Sequence, residues 1–509
     1  MKPMHTLALL RLCRAARLRY AISHLCRPYV FATVQLLSAT MRLQHVAFLL
    51  LATCLTLSSV SAEAQSVSDT TRLSLQEAIM QSLEVSPEVG AVASDRDRAL
   101  ATQSLARSSR FATEFRAQSA HAIAPGLTNP NDRPSNELYL DPEVRNDWED
   151  IRPFNQLEVD LLQPILTWGE LSGNVRAAGH GVEVESARVR SEKLSVAFRT
   201  AEIYYGLLLT NELLRVADEA EDVLRQARRE VERLLDEGDP DVDSADEFKL
   251  ELTEQELRRQ RAEVQQQQRT LQTAFTRQLG LTGGPVALPQ DDFLQELDYE
   301  PAEMESYFER SIQRRPELHQ ARAGKEARSQ QVRVARSNYY PKLFAGVQAN
   351  YRFAQGRFRQ ENPFVSDPFD GRGLRAGLGM QMNLNIFQTR ARVEQARADE
   401  RKVSYQKEAA EQLTLFEVEE AYRDLQSKQI ALESEREALA ISRRWLREEQ
   451  INFDLELGDV GNLIDAVEAS LERRIRFNEA KRAYNMAVIR LYRTSGELVE
   501  RIEAGTLVE

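Results

Sequence analysis

The chain has 509 residues, of which 28% are charged and only 7% aromatic, with 22 glycines and a formal net charge of −12. A chain rich in Ala, Glu, Arg, Leu and Gln points to long helices. No apolar run of 18 or more residues follows the N-terminal region, which excludes an α-helical membrane span there. Its acidity makes it a poor partner for nucleic acid, and none is expected.

The first 64 residues read as a signal peptide behind an N-terminal extension, with translation starting at Met41. Met41–His45 is a charged n-region, Val46–Leu57 an apolar h-region, and Ala62-Glu63-Ala64 an A-x-A cleavage site before Gln65. Removing residues 1–64 removes Cys13, Cys26 and Cys54, so no disulfide or thiol chemistry is expected in the mature chain. Leu51-Ala52-Thr53-Cys54 makes a poor lipobox, because Thr53 is unfavourable before the cysteine. The removed segment carries seven Lys or Arg and one Glu, which leaves the mature chain at −18.

The remainder reads as one plan used twice. Ser86-Pro87-Glu88-Val89 recurs as Arg315-Pro316-Glu317-Leu318, and Ala106-Arg107-Ser108 as Ala335-Arg336-Ser337, both at an offset of 229. Tyr204-x-x-Leu207 matches Tyr422-x-x-Leu425 at 218, and Gly238-Asp239 matches Gly458-Asp459 at 220. The first repeat spans 65–280 and the second 302–498, with a linker at 281–301 and a C-terminal tail at 499–509. Each repeat opens with a short helix; Ser74-Leu75-Gln76-Glu77 is a capping box, and Pro301 suits the first turn of the equivalent helix. A second helix follows, from Pro87 or Pro316 to about Ser109 or Asn338.

Two strands come next in each repeat, at about 111–123 and 155–166, and at about 342–354 and 373–387. In the second repeat Leu374, Ala376, Leu378, Met380, Met382, Leu384 and Ile386 alternate with polar or small residues, as do Leu343, Ala345, Val347, Ala349, Tyr351 and Phe353. Such a period of two gives one lipid-compatible face and one polar face. Alternation alone also suits a soluble sheet with one wet face; the setting, between very long helices in an exported chain, favours the membrane. Long helices then run over roughly 169–235 and 388–457, turn at Gly238 and Gly458, and return to about 279 and 496. At about 1.5 Å per residue each outgoing helix is roughly 100 Å long.

A sheet in hydrocarbon must close on itself. Four strands per chain fall below the smallest barrel of about eight, so copies must associate. Three copies giving twelve strands are a natural solution, and two are not excluded. Nothing supports an enzyme: His121, His180 and His319 lack ligand spacing, and no nucleophile elbow or nucleotide loop occurs. No cofactor or metal is expected.

The residues of interest are acids at the helix turns. Asp465 and Glu468 lie three apart on one face after Gly458, and Asp243 and Asp246 do the same after Gly238. Acids in a first turn also simply complement the helix dipole. Trp168, Tyr351, Phe353 and Phe387 sit near strand ends, where an aromatic belt or ordinary packing would place them.

Several motifs together resemble the outer membrane efflux protein family of TolC-like channels, over roughly 72–500. They are Leu73-Ser74-Leu75-Gln76-Glu77-Ala78, Pro87-Glu88, Gln163-Pro164-Ile165-Leu166-Thr167-Trp168-Gly169, Tyr339-Tyr340-Pro341, Tyr204 and Tyr422, and Gly458-Asp459-Val460-Gly461-Asn462-Leu463-Ile464-Asp465-Ala466-Val467-Glu468-Ala469. Ala112 stands where the family has a proline. The first-half turn, Gly238–Asp246, is longer and more acidic than usual. The resemblance implies a mainly α chain with a membrane β-barrel: a homotrimer joining a twelve-stranded barrel to an α-barrel tunnel of antiparallel coiled-coil helices. It implies the outer membrane of a Gram-negative cell, with the tunnel reaching into the periplasm. There it would serve as the exit duct of a tripartite efflux or type I secretion system. Outer-membrane lipid, a periplasmic adaptor and an inner-membrane RND or ABC transporter are the implied partners. Asp465, Glu468, Asp246 and Asp243 would form a periplasmic gate of acidic rings, and Gly238, Gly458 and Asp459 the adaptor-docking tips. The substrate is not legible. The competing reading is a periplasmic coiled-coil adaptor or structural protein, which needs no outward apolar strand face.

Overall fold

The computed structural model describes residues 70–111, 114–132, 142–237, 244–281, 283–358, 366–455 and 460–506. The expected signal segment and the expected turn residues Gly238, Asp239, Asp243, Gly458 and Asp459 lie outside the described residues.

The first repeat runs β1 (Thr70–Leu73), α1 (Leu75–Val85), α2 (Pro87–Ser108), β2 (Glu114–Leu127), β3 (Asn146–Leu166), α3 (Glu170–Glu237) and α4 (Ser244–Gln278). After β4 (Val286–Pro289), the second repeat runs α5 (Met304–Arg314), α6 (Pro316–Ser337), β5 (Lys342–Ala354), β6 (Gly371–Gln381), α7 (Ile386–Asp454), α8 (Val460–Ser495) and α9 (Leu498–Ala504). Local chemistry sets the starts. Ser74 caps α1 reciprocally with Glu77, whose carboxylate accepts from the Ser74 amide at 2.9 Å and is held below its usual pKa by that bond. Ser86 accepts from the Val89 amide ahead of Pro87 at the first position of α2. Arg315 takes the equivalent place before Pro316 without a side-chain cap, and its guanidinium instead pairs with Glu317 and with Glu417 of α7.

The helices stand side by side as a wall one helix thick. Near the strands the order is α2, α3, α6, α7; farther away α4 replaces α2 and α8 replaces α6. Thus α3 and α7, with 68 and 69 residues, run the whole height, while the shorter helices stack end to end beside them. Gly173 allows this close approach, since a Cβ there would lie 2.7 Å from Val334.

A second layer covers the middle of the wall. The parallel pair β1–β4 joins α1, α5 and α9 against α3 and α8, burying Ile79, Tyr204, Leu207, Phe275, Tyr307 and Tyr492. The segment 281–301, expected as a linker, contains β4 and buries Leu294 and Leu297. The tail 499–509 likewise contributes α9, whose Leu498 and Ile502 are fully buried. Both segments were polar enough to pass as loops; their few apolar residues find the core only through the fold. Pro301 stays outside α5, which starts at Met304 with Glu303 as its cap residue.

The four long strands form one antiparallel sheet in the order β2-β3-β5-β6, so the repeats join through β3 and β5. The expected span 155–166 begins earlier, at Asn146. The expected 373–387 ends at Gln381, because Asn383 and Asn385 turn the chain into α7 although the alternation continues.

The second layer is clamped by Glu497, whose side chain is 6% exposed and accepts from Arg310 at 3.1 Å and Arg314 at 3.3 Å. Gly496 (φ 80°) makes the turn, its missing Cβ leaving room for the Arg314 backbone. Replacing Glu497 by Gln leaves two guanidinium groups short of a charge partner and should cost about 2 kcal/mol. A lowered thermal midpoint of the purified protein is the expected readout. Glu500→Gln, at an exposed pair with Arg314, should change it by less than about 1 kcal/mol.

Candidate functional site

The register of the sheet separates its two faces. Phe115, Leu161, Val347 and Ala376 stand abreast on one face, and Ala117, Val159, Ala349 and Leu374 form the next row. On the opposite face the corresponding rows are Arg116, Asp160, Gln348, Arg375 and Gln118, Glu158, Asn350, Gly373. Gln348 donates to Glu158 at 2.9 Å, knitting the polar face together. The apolar face is bare: Leu374 is 76% and Leu378 81% exposed. A soluble protein would cover such a continuous patch. Its height, Leu343 to Tyr351 on β5, matches the roughly 9–11 residues that cross a bilayer. Towards the loops the same face turns polar at His121, Asn155 and Arg372, where His121 Nδ1 lies 2.7 Å from Asn155 Oδ1.

Both ends of the sheet are fastened. At the helix end Trp168, in the left-handed region (φ 51°), donates its indole N–H to the Pro341 carbonyl at 2.7 Å and packs on Tyr340 at 5.0 Å. This holds the β3-to-α3 and α6-to-β5 crossings together. Trp168 and Phe387 lie at this end of the sheet, and Tyr351 and Phe353 stand nearer the other. At the loop end Arg357, only 2% exposed at its side chain, pairs with Asp367 at 2.9 Å. It also donates to the Pro125 and Gly126 carbonyls and to Asn146 Oδ1. Its guanidinium sits 5.0 Å from the Phe369 ring, so one cation ties both hairpin loops. Nothing in the sequence marked Arg357; a single arginine in a polar loop carries no pattern.

At the far end of the wall the four helices share a small apolar core of Leu224, Val231, Leu250, Val460, Leu463, Ile464 and Val467. The predicted acids flank it. Asp465 forms an ion pair with Lys249 of α4, whose ammonium also reaches the Gly461 carbonyl at 3.4 Å. Glu468 accepts from Thr253 of α4 at 2.6 Å. Asp246 lies half-buried in the first turn of α4, where it complements the helix dipole. Two of the predicted acids are therefore brought together as one α8 face latched to α4, with Asp246 one turn before Lys249. Lys249 and Thr253 were missed by the sequence reading. The usable signal was a lone lysine in the acidic stretch 239–256, with Thr253 four residues later on the same face.

Among the described residues no group of His, Cys, Asp or Glu could hold a metal ion, and no helix is long and apolar enough to cross a membrane.

Residues 308–497 match the outer membrane efflux protein family. No curated protein sequence matches the chain. Solved structures share its fold, among them the following three. The outer membrane protein VceC of Vibrio cholerae superposes with a TM-score of 0.64 and 15% identity, covering 83% of this chain and 96% of that one. The MtrE outer membrane channel of Neisseria gonorrhoeae, in its open state, gives 0.66 and 13% over 83% and 89%. The CmeC outer membrane channel of Campylobacter jejuni gives 0.64 and 14% over 86% and 90%.

Placing an arginine on the bare face at Leu378 should cost about 2–4 kcal/mol in a bilayer and deplete the protein from outer-membrane fractions at least about tenfold. Arg375→Glu, on the polar face, should leave that amount unchanged; quantitative immunoblotting of fractionated cells checks both.

Proposed function

We propose that this chain, which carries an outer membrane efflux protein domain on the fold of the outer-membrane channels, is the exit duct of a tripartite efflux system. It sits in the outer membrane and conducts solutes passively; an inner-membrane pump of the RND or ABC class supplies the energy through a periplasmic adaptor. One observation carries this reading: a sheet with an apolar face and a polar face, open at both edges, runs directly into a wall of helices about 100 Å high.

The open edges define the assembly. Among the described residues β2 and β6 each pair on one side only, and unpaired backbone groups are not tolerated in hydrocarbon. Pairing β6 of one copy with β2 of the next is a heterologous contact that repeats until the ring closes. The helices support the same arrangement. The free flank of α7 exposes Tyr405, Phe416, Ile430 and Ile441, while Leu105 of α2 and Phe248 and Leu252 of α4 are exposed at the other edge of the wall. Three copies give twelve strands. The polar rows then line the lumen and the apolar rows face lipid, an arrangement for which a periplasmic coiled-coil adaptor has no use.

The gate belongs to the helix tips. Lys249–Asp465 and Thr253–Glu468 tie α4 to α8 within each copy and hold the tips in register with the small core beneath them. Opening requires these latches to part, and the released carboxylates then present rings of negative charge that favour cations. Gly238 and Gly458–Asp459, the turns expected from the sequence between these helices, are where an adaptor would dock.

Single-channel conductance in planar bilayers tests this. Lys249→Ala/Thr253→Ala removes about 1 kcal/mol of exposed latch per copy and should raise each copy's open-to-closed ratio about fivefold, with channel opening raised at least that much. Asp465→Ala/Glu468→Ala should open as readily but lose cation preference. An unchanged opening in the first variant and an unchanged ion preference in the second would sink the gate assignment.

A further inference from the structure

The charge of this acidic chain is distributed unevenly along the wall. The helix ends nearest the strands, residues 103–111, 168–180, 330–342 and 386–397, hold nine Lys or Arg against two Glu. The opposite tip inverts this, with ten acids and one lysine between Asp236 and Glu256. Within the cationic zone one groove is shaped to hold something. It lies between the end of α6 and the second to fourth turns of α7, encloses about 350 Å³, and presents Arg336, Arg390 and Arg397 together with Tyr339, Tyr340 and one carboxylate, Glu394. Arg390 is steadied by Glu394 at 3.0 Å. Arg336 and Arg397 make no ion pair among the described residues, so two guanidinium forks point at the groove with their donors uncommitted.

Helical spacing tells which side of the wall the groove opens on. Arg336 lies fourteen residues, or about four turns, beyond Arg322. Arg322 donates to the Ile312 carbonyl at 2.8 Å, at the end of α5 in the second layer. The groove therefore opens on the flank that α5 covers lower down. Arg390 and Arg397, seven apart, share one face of α7. The level is equally defined: Arg336 is one residue from the end of α6, and Arg390 lies in the second turn of α7. Both are within about 10 Å of the strands, with Arg397 about 10 Å deeper, at and just below the polar headgroup layer of a bilayer whose apolar core the strands cross. Arginine stems reach upward readily from this position.

We propose that this groove binds the phosphodiester headgroup of an anionic phospholipid, of the phosphatidylglycerol class, in the periplasmic leaflet. The inference rests on the outer-membrane reading above. Paired arginine forks suit the two free oxygens of a phosphodiester, a zwitterionic headgroup cancels the attraction with its own cation, and Tyr340 packed on Trp168 fixes the groove to the β3–α3 crossing. A bound lipid would thereby brace the junction between sheet and wall.

Native mass spectrometry of the full-length protein in detergent, offered phosphatidylglycerol or phosphatidylcholine at equal concentration, provides the test. Wild type should retain phosphatidylglycerol at least about tenfold over phosphatidylcholine, and Arg336→Gln/Arg397→Gln should abolish most of that ratio. The exposed single change Arg397→Gln should show part of the loss, so the result does not depend on the double variant folding. Arg392→Gln, on another flank of α7, should retain the lipid as wild type does. Equal loss in Arg392→Gln, full retention in the double variant, or displacement by millimolar inorganic phosphate would each overturn the headgroup site. A wild type that fractionates with the outer membrane and conducts, yet ignores phosphatidylglycerol, overturns the groove alone; absence from the outer membrane overturns the channel reading itself.

Discussion

Everything in this molecule follows from the backbone amides and carbonyls on the outer edges of β2 and β6. In hydrocarbon they have no water to bond, and each unsatisfied group costs several kcal/mol. The chain cannot satisfy them alone, because its four strands are too few to curl shut. On the proposed reading assembly is thus built into the secondary structure: the bare apolar face would meet lipid and the open edges would pair with further copies. The polar face would then enclose a lumen without needing to be designed as a pore.

The helical wall extends that geometry. A single layer of helices buries only the flanks where neighbours touch, which accounts for the narrow stripes of Leu, Ala and Val on α3 and α7 and for so many charged residues elsewhere. The α1, α5 and α9 layer supplies the one thick core, around Tyr204, Phe275, Tyr307 and Tyr492. Desolvation in that core raises the pKa of the Tyr204, Tyr205 and Tyr299 phenols, which keeps them neutral hydrogen-bonding groups. Rigidity is concentrated there and at the Trp168–Pro341 crossing, so the wall is anchored at its middle and its membrane end.

The tip is held differently. Its apolar core is small, and its cross-links are an ion pair and a hydroxyl–carboxylate bond near the surface. Exposed contacts of this kind contribute little each and are screened by salt. Fastening of this kind suits the proposed gate, closed by default and weak enough for a docked partner to release. On that proposal the acids would serve two states: partnered with Lys249 and Thr253 when the tip is shut, and lining a constriction when it is open.

Periodicity, duplication and capping chemistry were legible in the sequence because they are local. Ser74–Glu77 and Pro87 or Pro316 mark helix starts wherever those residues occur; a period of two over Leu343–Phe353 makes a two-faced strand in any setting; and the distance between Trp168 and Gly238 dictates the length of α3. Local signals also misled where two elements meet: alternation persists through Met382 and Leu384, yet the strand stops at Gln381. What only the tertiary structure decided depends on residues far apart in the chain. The pairing of Lys249 with Asp465, the burial of Arg357 between two loops, the docking of β4 and α9, and the groove between α6 and α7 each join segments whose separation carries no pattern. The acids at 465 and 468 could be found from their spacing; the lysine and threonine that restrain them could be identified only once α4 and α8 were side by side.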